Sequence, residues 1–153
     1  MNIGGKIMSE NEFEQFLHTN IPITEAMGIS VTEFTKSRVR LAAKLKPNIN
    51  DKLTAFGGSI NTLMTICGWS MVFVNIKETD PKAQIVIKKS NINYRAPIRE
   101  DFTAECEIFG DETRREFLET YTKHNKSRLD LKVVIKNKET VFAEYEGQYV
   151  VFK

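Results

Sequence analysis

The stretch Asn48-Ile-Asn-Asp-Lys-Leu-Thr-Ala-Phe-Gly-Gly-Ser59 delivers polar side chains and a glycine pair to the head of a run that is apolar almost throughout. The first N–H groups of a helix have no partner within it, and glycine lets a ligand approach them without meeting a Cβ. With the helix dipole behind them, the amides of Gly57 and Gly58 could polarise a carbonyl or hold an oxyanion. Such a donor is worth roughly 3 kcal/mol in a transition state. The plain alternative is a helix start where glycine allows close packing. Asn50 and Asp51 are the strongly polar groups nearest in sequence. Either could orient a water, and Asp51 could act as a base if desolvation raised its pKa; both also suit a loop cap. Phe56 and Ser59 flank the pair as candidate substrate contacts. Farther along, Ser59, Thr62, Thr65, Cys67 and Ser70 carry hydroxyls or a thiol, but such a nucleophile needs an adjacent base and none is near in sequence. Thr62, Thr65 and Trp69 share a helical face, on which Thr65 could hold a water. Cys67 reads as a small apolar filler.

The elements that must position these residues follow from periodicity. Ser9-Glu-Asn-Glu12 fits a capping box, and Phe13, Phe16 and Leu17 continue it as a short amphipathic helix to about Thr19. Pro22 and Gly28 bracket one helical turn. From Gly28 to Leu45 the period becomes two, predicting two strands that turn near Thr35 to Ser37. Residues 57–75 are apolar on nearly every side, as in a helix surrounded by protein. Strands are predicted at about Ala83 to Tyr94 and Asp101 to Phe109. Asp111 to Lys126 fits either a surface helix or an irregular extension of the preceding strand. Leu129 to Ile135 and Val141 to Phe152 form a last hairpin around Lys136-Asn-Lys138. The sum is an α+β chain of five or six antiparallel strands, with one sheet curled around one long helix. One sheet covers only part of such a helix, so a second subunit is expected to cover the rest.

A length of 153 residues suits one domain over 1–153 with a core of its own. The balance of 22 basic against 20 acidic residues, net +2, gives no reason to expect nucleic acid. Lys88, Lys89, Arg95 and Arg99 lie on and just after the third strand, where they could meet phosphate or simply form a solvated strand face. Cys67 and Cys106 are the only cysteines and sit in apolar patterns, which suits a reduced, cytoplasmic protein and no metal site. Met1 to Met8 lacks the apolar run of a secretory signal, and no window is expected to reach the length of a bilayer span. His18 and His124 fall in no motif and are expected at the solvent surface.

Taken together, Ile23-Thr-Glu-Ala-Met-Gly-Ile29, Pro47-Asn-Ile-Asn50, Thr54-Ala-Phe-Gly-Gly-Ser59, Gly68-Trp69 and Phe142 to Val150 resemble a hot-dog fold thioesterase domain. The likeness is to the domain that in some bacteria follows an N-acetyltransferase domain, here standing alone. Tyr94-Arg-Ala-Pro97 and Asp101 to Glu105 resemble the strand pair that follows the helix in many hot-dog enzymes. The resemblance implies a homodimer or a dimer of dimers acting on an acyl-CoA or acyl carrier protein thioester. No cofactor is then needed, coenzyme A or phosphopantetheine being part of the substrate. It also implies that Gly57 and Gly58 hold the thioester carbonyl, that Asn50 helps place water or substrate, and that the basic residues meet the phosphates. The face around Ile60 and Met64 would take the acyl chain. The sequence departs from the related thioesterases at two places: Phe56 stands where they carry His, and Thr65 where they carry the helical carboxylate. Dehydration is disfavoured, because hot-dog dehydratases rely on a histidine that has no counterpart here. Decarboxylation of a thioester, or binding without turnover, remain alternatives that need no carboxylate at Thr65.

Overall fold

The computed structural model describes residues 7–108 and 110–153. The expected strand end at Phe109, and residues 1–6 of the N-terminal stretch, lie outside the described residues. The chain begins with α1 (Glu10–Asn20), whose capping box forms as its sequence predicts: the Ser9 hydroxyl accepts from the Glu12 amide at 3.1 Å and the Glu12 carboxylate accepts from the Ser9 amide at 3.3 Å. The single turn between Pro22 and Gly28 is α2 (Ile23–Ala26). Strands β1 (Ser30–Phe34) and β2 (Arg38–Ala43) pair antiparallel across the Thr35 turn, where the Thr35 amide donates to the Arg38 carbonyl at 2.9 Å. A 3-10 turn at Lys46–Asn48 leads to α3 (Gly57–Ile76). Then follow β3 (Gln84–Tyr94), β4 (Phe102–Glu107), α4 (Asp111–His124), β5 (Lys126–Lys136) and β6 (Val141–Phe152).

The six strands make one antiparallel sheet in the order β1-β2-β4-β5-β6-β3, and it curls around α3. Alternation decides what each strand shows the helix. Leu129, Leu131, Val133 and Ile135 of β5 are buried, while Lys126, Arg128, Asp130 and Lys132 between them face water. The outer face carries paired charges, among them Arg40 with Glu105 at 2.9 Å. The alternation also explains why α3 can be apolar throughout. It is long and apolar enough to cross a membrane, which corrects the expectation that no window reaches bilayer length, yet it lies inside the sheet with most of its residues buried. Each large apolar side chain so buried contributes on the order of 2 kcal/mol.

The residues of α3 left partly open are Gly57, Gly58, Ser59, Asn61, Thr62, Thr65 and Trp69, a stripe at helical spacing. Ile60 and Met64, expected to take an acyl chain, are instead packed in the core at 5% and 0% exposure. They point to the sheet because they lie on the opposite side of the helix from that stripe. Helix α1 covers the far end of α3: Phe13 stacks on Phe34 at 3.9 Å between centroids, and both Phe13 and Phe16 meet Phe73 at about 5 Å. His18 is not at the free surface as expected. It is half-buried, with Nε2 2.8 Å from the Ile29 carbonyl oxygen, next to Glu14, which accepts from the Val31 amide. His124 is exposed.

The ambiguous segment after β4 is a helix, α4, which packs along β5 and buries Phe117 and Tyr121. It ends at Asn125 in the left-handed conformation, a common helix stop.

Candidate active site

The loop before α3 is built by two asparagines. Asn48 is buried and its Nδ2 donates to the Met27 carbonyl at 2.8 Å and the Lys44 carbonyl at 2.6 Å, while its own carbonyl accepts from the Phe56 amide at 2.7 Å. It therefore fixes where the helix begins. Asn50 closes a five-residue turn: its Oδ1 accepts from the amides of Lys52 at 2.9 Å and Thr54 at 3.1 Å, and its Nδ2 donates to Thr54 Oγ1 at 2.9 Å. This is an Asx-type turn, in which the side chain substitutes for backbone. Leu53 at its tip has φ 62° and is 69% exposed, so the turn presents an apolar side chain to solvent from a left-handed backbone. The carboxylate of Asp51 points outward, with 81% of its side chain exposed and Lys52 Nζ at 3.1 Å.

Phe56 is the residue before the first turn of α3, and the helix has no side-chain cap there. Its ring lies across Gly58, so close that a Cβ on that glycine would stand 2.5 Å from the ring. On the other side Tyr94, from the end of β3, lies 3.6–3.8 Å from where a Gly57 Cβ would be, and its hydroxyl donates to the Gly57 carbonyl at 3.1 Å. The glycine pair thus sits between two aromatic rings. Ile49, Leu53, Phe56 and Tyr94 are all substantially exposed and form an apolar rim around it.

The other expected site residues are distributed unevenly about this point. Ser59 and Thr65 lie on the open stripe of α3. Arg95 follows Tyr94 directly, and Arg99 follows Ile98, whose carbonyl accepts from the Ala55 amide at 2.9 Å, so the backbone at both arginines runs close to the loop that carries the glycine pair. Arg95 pairs with Glu144 at 2.9 Å. Lys88 and Lys89 are six and five residues back along β3, about 20 Å away at the rise of a strand. In one chain the four basic residues therefore form two groups, separated by the length of the strand.

The thiols are chemically quiet. Cys67 is fully buried with its Sγ toward the Val39 carbonyl, and burial pushes its pKa well up; burial likewise pushes Cys106 up to about 12. Among the described residues no group of three potential metal ligands occurs. A groove of about 680 Å³ on the outer sheet face, walled by Thr32, Arg40, Thr103 and Glu105, holds the ion pair of Arg40 with Glu105. What the glycine turn can do is donate its helix-start amides to a carbonyl oxygen beside exposed apolar side chains.

Two buried phenols escape sequence reasoning. Tyr149 of β6 donates its hydroxyl to the Thr65 carbonyl at 2.7 Å, and its oxygen lies 2.9 Å from the Tyr145 hydroxyl. The signal that could have exposed them is the pair of glycines opposite: a Cβ on Gly68 would collide with the Tyr149 ring and hydroxyl, and one on Gly147 would stand 2.7 Å from the Tyr145 hydroxyl.

Comparison with known proteins agrees with this architecture. A protein of unknown function from Chlorobaculum tepidum is 27% identical over 94% of both chains, with a TM-score of 0.86. A "putative thioesterase" from Shewanella oneidensis is 28% identical over 94% of this chain and 97% of its own, with a TM-score of 0.79. A Pseudomonas aeruginosa protein called a "probable thioesterase", 18% identical over 97% and 99% of the two chains, shares the fold at a TM-score of 0.82. The model of the family described as "Putative thioesterase (yiiD_Cterm)" matches residues 10–153, and the chain belongs to that family of hot-dog thioester hydrolases.

Proposed function

We propose that the protein hydrolyses acyl thioesters of coenzyme A or of an acyl carrier protein, with Gly57 and Gly58 holding the thioester carbonyl. The observation that carries this reading is the uncapped glycine start of α3 between the rings of Phe56 and Tyr94. Water adds to the carbonyl carbon and gives up a proton to solvent, and the carbonyl oxygen takes up the negative charge against the helix amides. The C–S bond then breaks, and the thiolate leaves and is protonated from solvent. Preorganised donors of this kind each contribute about 10²–10³ in rate. Thr65, on the open stripe, lies about 10 Å beyond Gly58 along the helix, so it is suited to hold the water only for the carbonyl site of a partner copy. Asn50 acts by shaping the turn that carries the apolar rim, since both its side-chain polar atoms are spent within the loop. Asp51 serves as a base only where a second subunit covers it.

A homodimer, alone or paired into a dimer of dimers, completes the site. Among the described residues no strand pairs with the outer edge of β3, where Val86, Ile87 and Tyr94 are exposed, and the stripe of α3 is partly open. Antiparallel pairing of two such edges about the middle of β3 would set Lys88 and Lys89 of one copy beside those of the other, with the Arg95 ends on either side. Either basic group suits the phosphates of coenzyme A or of phosphopantetheine. A reduced cytoplasmic setting suits the two buried free thiols.

One observation favours a second reaction at the same carbonyl site. Helix α3 carries no carboxylate, and loss of carbon dioxide from a malonyl thioester needs none. The C–C bond breaks, its electron pair forms an enolate held by the same amides, and solvent supplies the proton. The test is a panel of short, medium, aromatic and malonyl thioesters on coenzyme A and carrier protein, with thiol and carbon dioxide measured in parallel. Thiol release above the uncatalysed rate supports hydrolysis. Carbon dioxide without thiol supports the second reaction, and binding without either product overturns both.

A further inference from the structure

Helix α3 is held mainly by close-packed apolar contacts, which set its place in the core without being directional. Directional ties to its surroundings are few. Tyr94 reaches the Gly57 carbonyl at 3.1 Å, Cys67 makes a weak contact to the Val39 carbonyl at 3.6 Å, and Asn75 donates to the Lys36 carbonyl at 3.0 Å. The shortest is at mid-helix, where Tyr149 donates to the Thr65 carbonyl at 2.7 Å. A main-chain carbonyl inside a helix already has its own amide donor one turn on, so this bond is not needed to satisfy α3. Its geometry ties the helix to β6.

Both phenols are all but fully buried, Tyr145 at 1% and Tyr149 at 0%. The neighbouring chain is shaped to admit them, by Gly68 on the helix and Gly147 on the strand. Burial, reinforced by the bond to Tyr145, raises the Tyr149 pKa far above the ordinary phenol range, so it remains a donor at any working pH. Thr65, whose carbonyl it holds, belongs to the open stripe that runs from Gly57 to Trp69.

We propose that the Tyr149–Tyr145 pair is the positioning device of the site: by gripping the Thr65 carbonyl it sets the roll and height of α3, and through them the place of the Gly57 and Gly58 amides. The inference rests on the reading of those amides as the carbonyl site. Neither tyrosine touches substrate. A shift of about 1 Å in a group that meets the reacting atoms can cost about a hundred-fold in rate, so a tie of this kind is felt at the chemistry.

The test compares Tyr149→Phe, Tyr145→Phe and the double variant by melting temperature, by kcat and KM for thiol release, and by the NMR shifts of the Gly57 and Gly58 amides. Tyr149→Phe strands the Tyr145 hydroxyl in an apolar site and should melt below wild type, whereas removing both hydroxyls recovers much of that loss. In both of those variants kcat should fall about ten- to a hundred-fold with KM little changed, and the two glycine amides should shift. Tyr145→Phe, which keeps the bond to Thr65 but removes the partner that steadies the Tyr149 hydroxyl, should lower kcat by less than Tyr149→Phe does. Recovery of kcat together with melting temperature in the double variant would mark the pair as packing and overturn the proposal, as would unshifted glycine amides in Tyr149→Phe. If wild type releases no thiol, the functional reading fails while the amide shifts still decide whether the pair positions the helix.

Discussion

A methyl group at position 58 would meet the Phe56 ring at 2.5 Å, so Gly58→Ala must push that ring aside. The ring is one wall of the carbonyl site, and the displaced wall and the added Cβ both obstruct the approach to the amides. We expect kcat/KM to fall about a hundred-fold, with a melting temperature near that of wild type, because the ring is half in solvent already. Adding Phe56→Ala relieves the collision but not the obstruction, so the double variant should regain little activity; full recovery would show that the amides are not what the alanine blocks. At this scale the sequence is legible where partners are near in the chain. The capping box at Ser9, the loop caps of Asn50 and the glycine pair all join residues within a few positions. Tyr149 and Thr65 are 84 positions apart, and in Glu144-Tyr-Glu-Gly-Gln-Tyr149 only Gly147 hints that its phenols are more than ordinary strand aromatics. His18 was misplaced for the same reason, its partner being a carbonyl beyond the end of its helix.

Helix α4 is the element least legible in the sequence. Its run of charges carries only Phe117, Leu118 and Tyr121 as apolar guides, and its hold on the fold depends on a bond from Tyr121 to Asp80, 41 positions away, at 2.6 Å. That bond, with the Lys82 amide as a second donor, keeps the Asp80 carboxyl below the usual carboxylate range. A depressed pKa means stability that is present above the unfolded value and is lost as pH falls through the folded one. Chiefly by burial, and then by the same carboxylate, Tyr121 is pushed up to about 12 from an ordinary 10.0, so between those values stability declines with rising pH. Tyr121→Phe should therefore flatten both the acid limb below the ordinary carboxylate range and the alkaline limb in a plot of melting temperature against pH. An unchanged acid limb would remove Asp80 from the account. By contrast α3 was legible in full length and in its burial, because an uninterrupted apolar run bounded by Gly57 and the Glu78 turn leaves few other structures. Which of its faces stays open was legible only in part: Thr62, Thr65 and Trp69 mark the face that remains partly open, but the expectation that Ile60 and Met64 lie open was not met.

For the whole molecule the sheet order matters most. Edge strand β3 has Ile87 at 40% exposure on its helix-facing side and an irregularity at Lys88. Pairing through this edge predicts a dimer in sedimentation experiments at micromolar concentration, and Ile87→Lys should shift it toward monomer with loss of turnover. A wild-type monomer with full activity would contradict that arrangement. Curling of one sheet around one helix could be read from the alternation of the strands; the seating of β6 between β5 and β3 could not, because strand order leaves no mark in periodicity. That seating also bears on synthesis. Strand β3 has β6 as its one neighbour in the sheet, so between translation of Tyr94 and of Val141 it has nothing to pair with, a wait of several seconds at about 5–20 residues per second. For the later part of it the membrane-length apolar helix is clear of the ribosome while its sheet is unfinished, the condition in which a nascent chain is recognised by chaperones that bind exposed apolar segments.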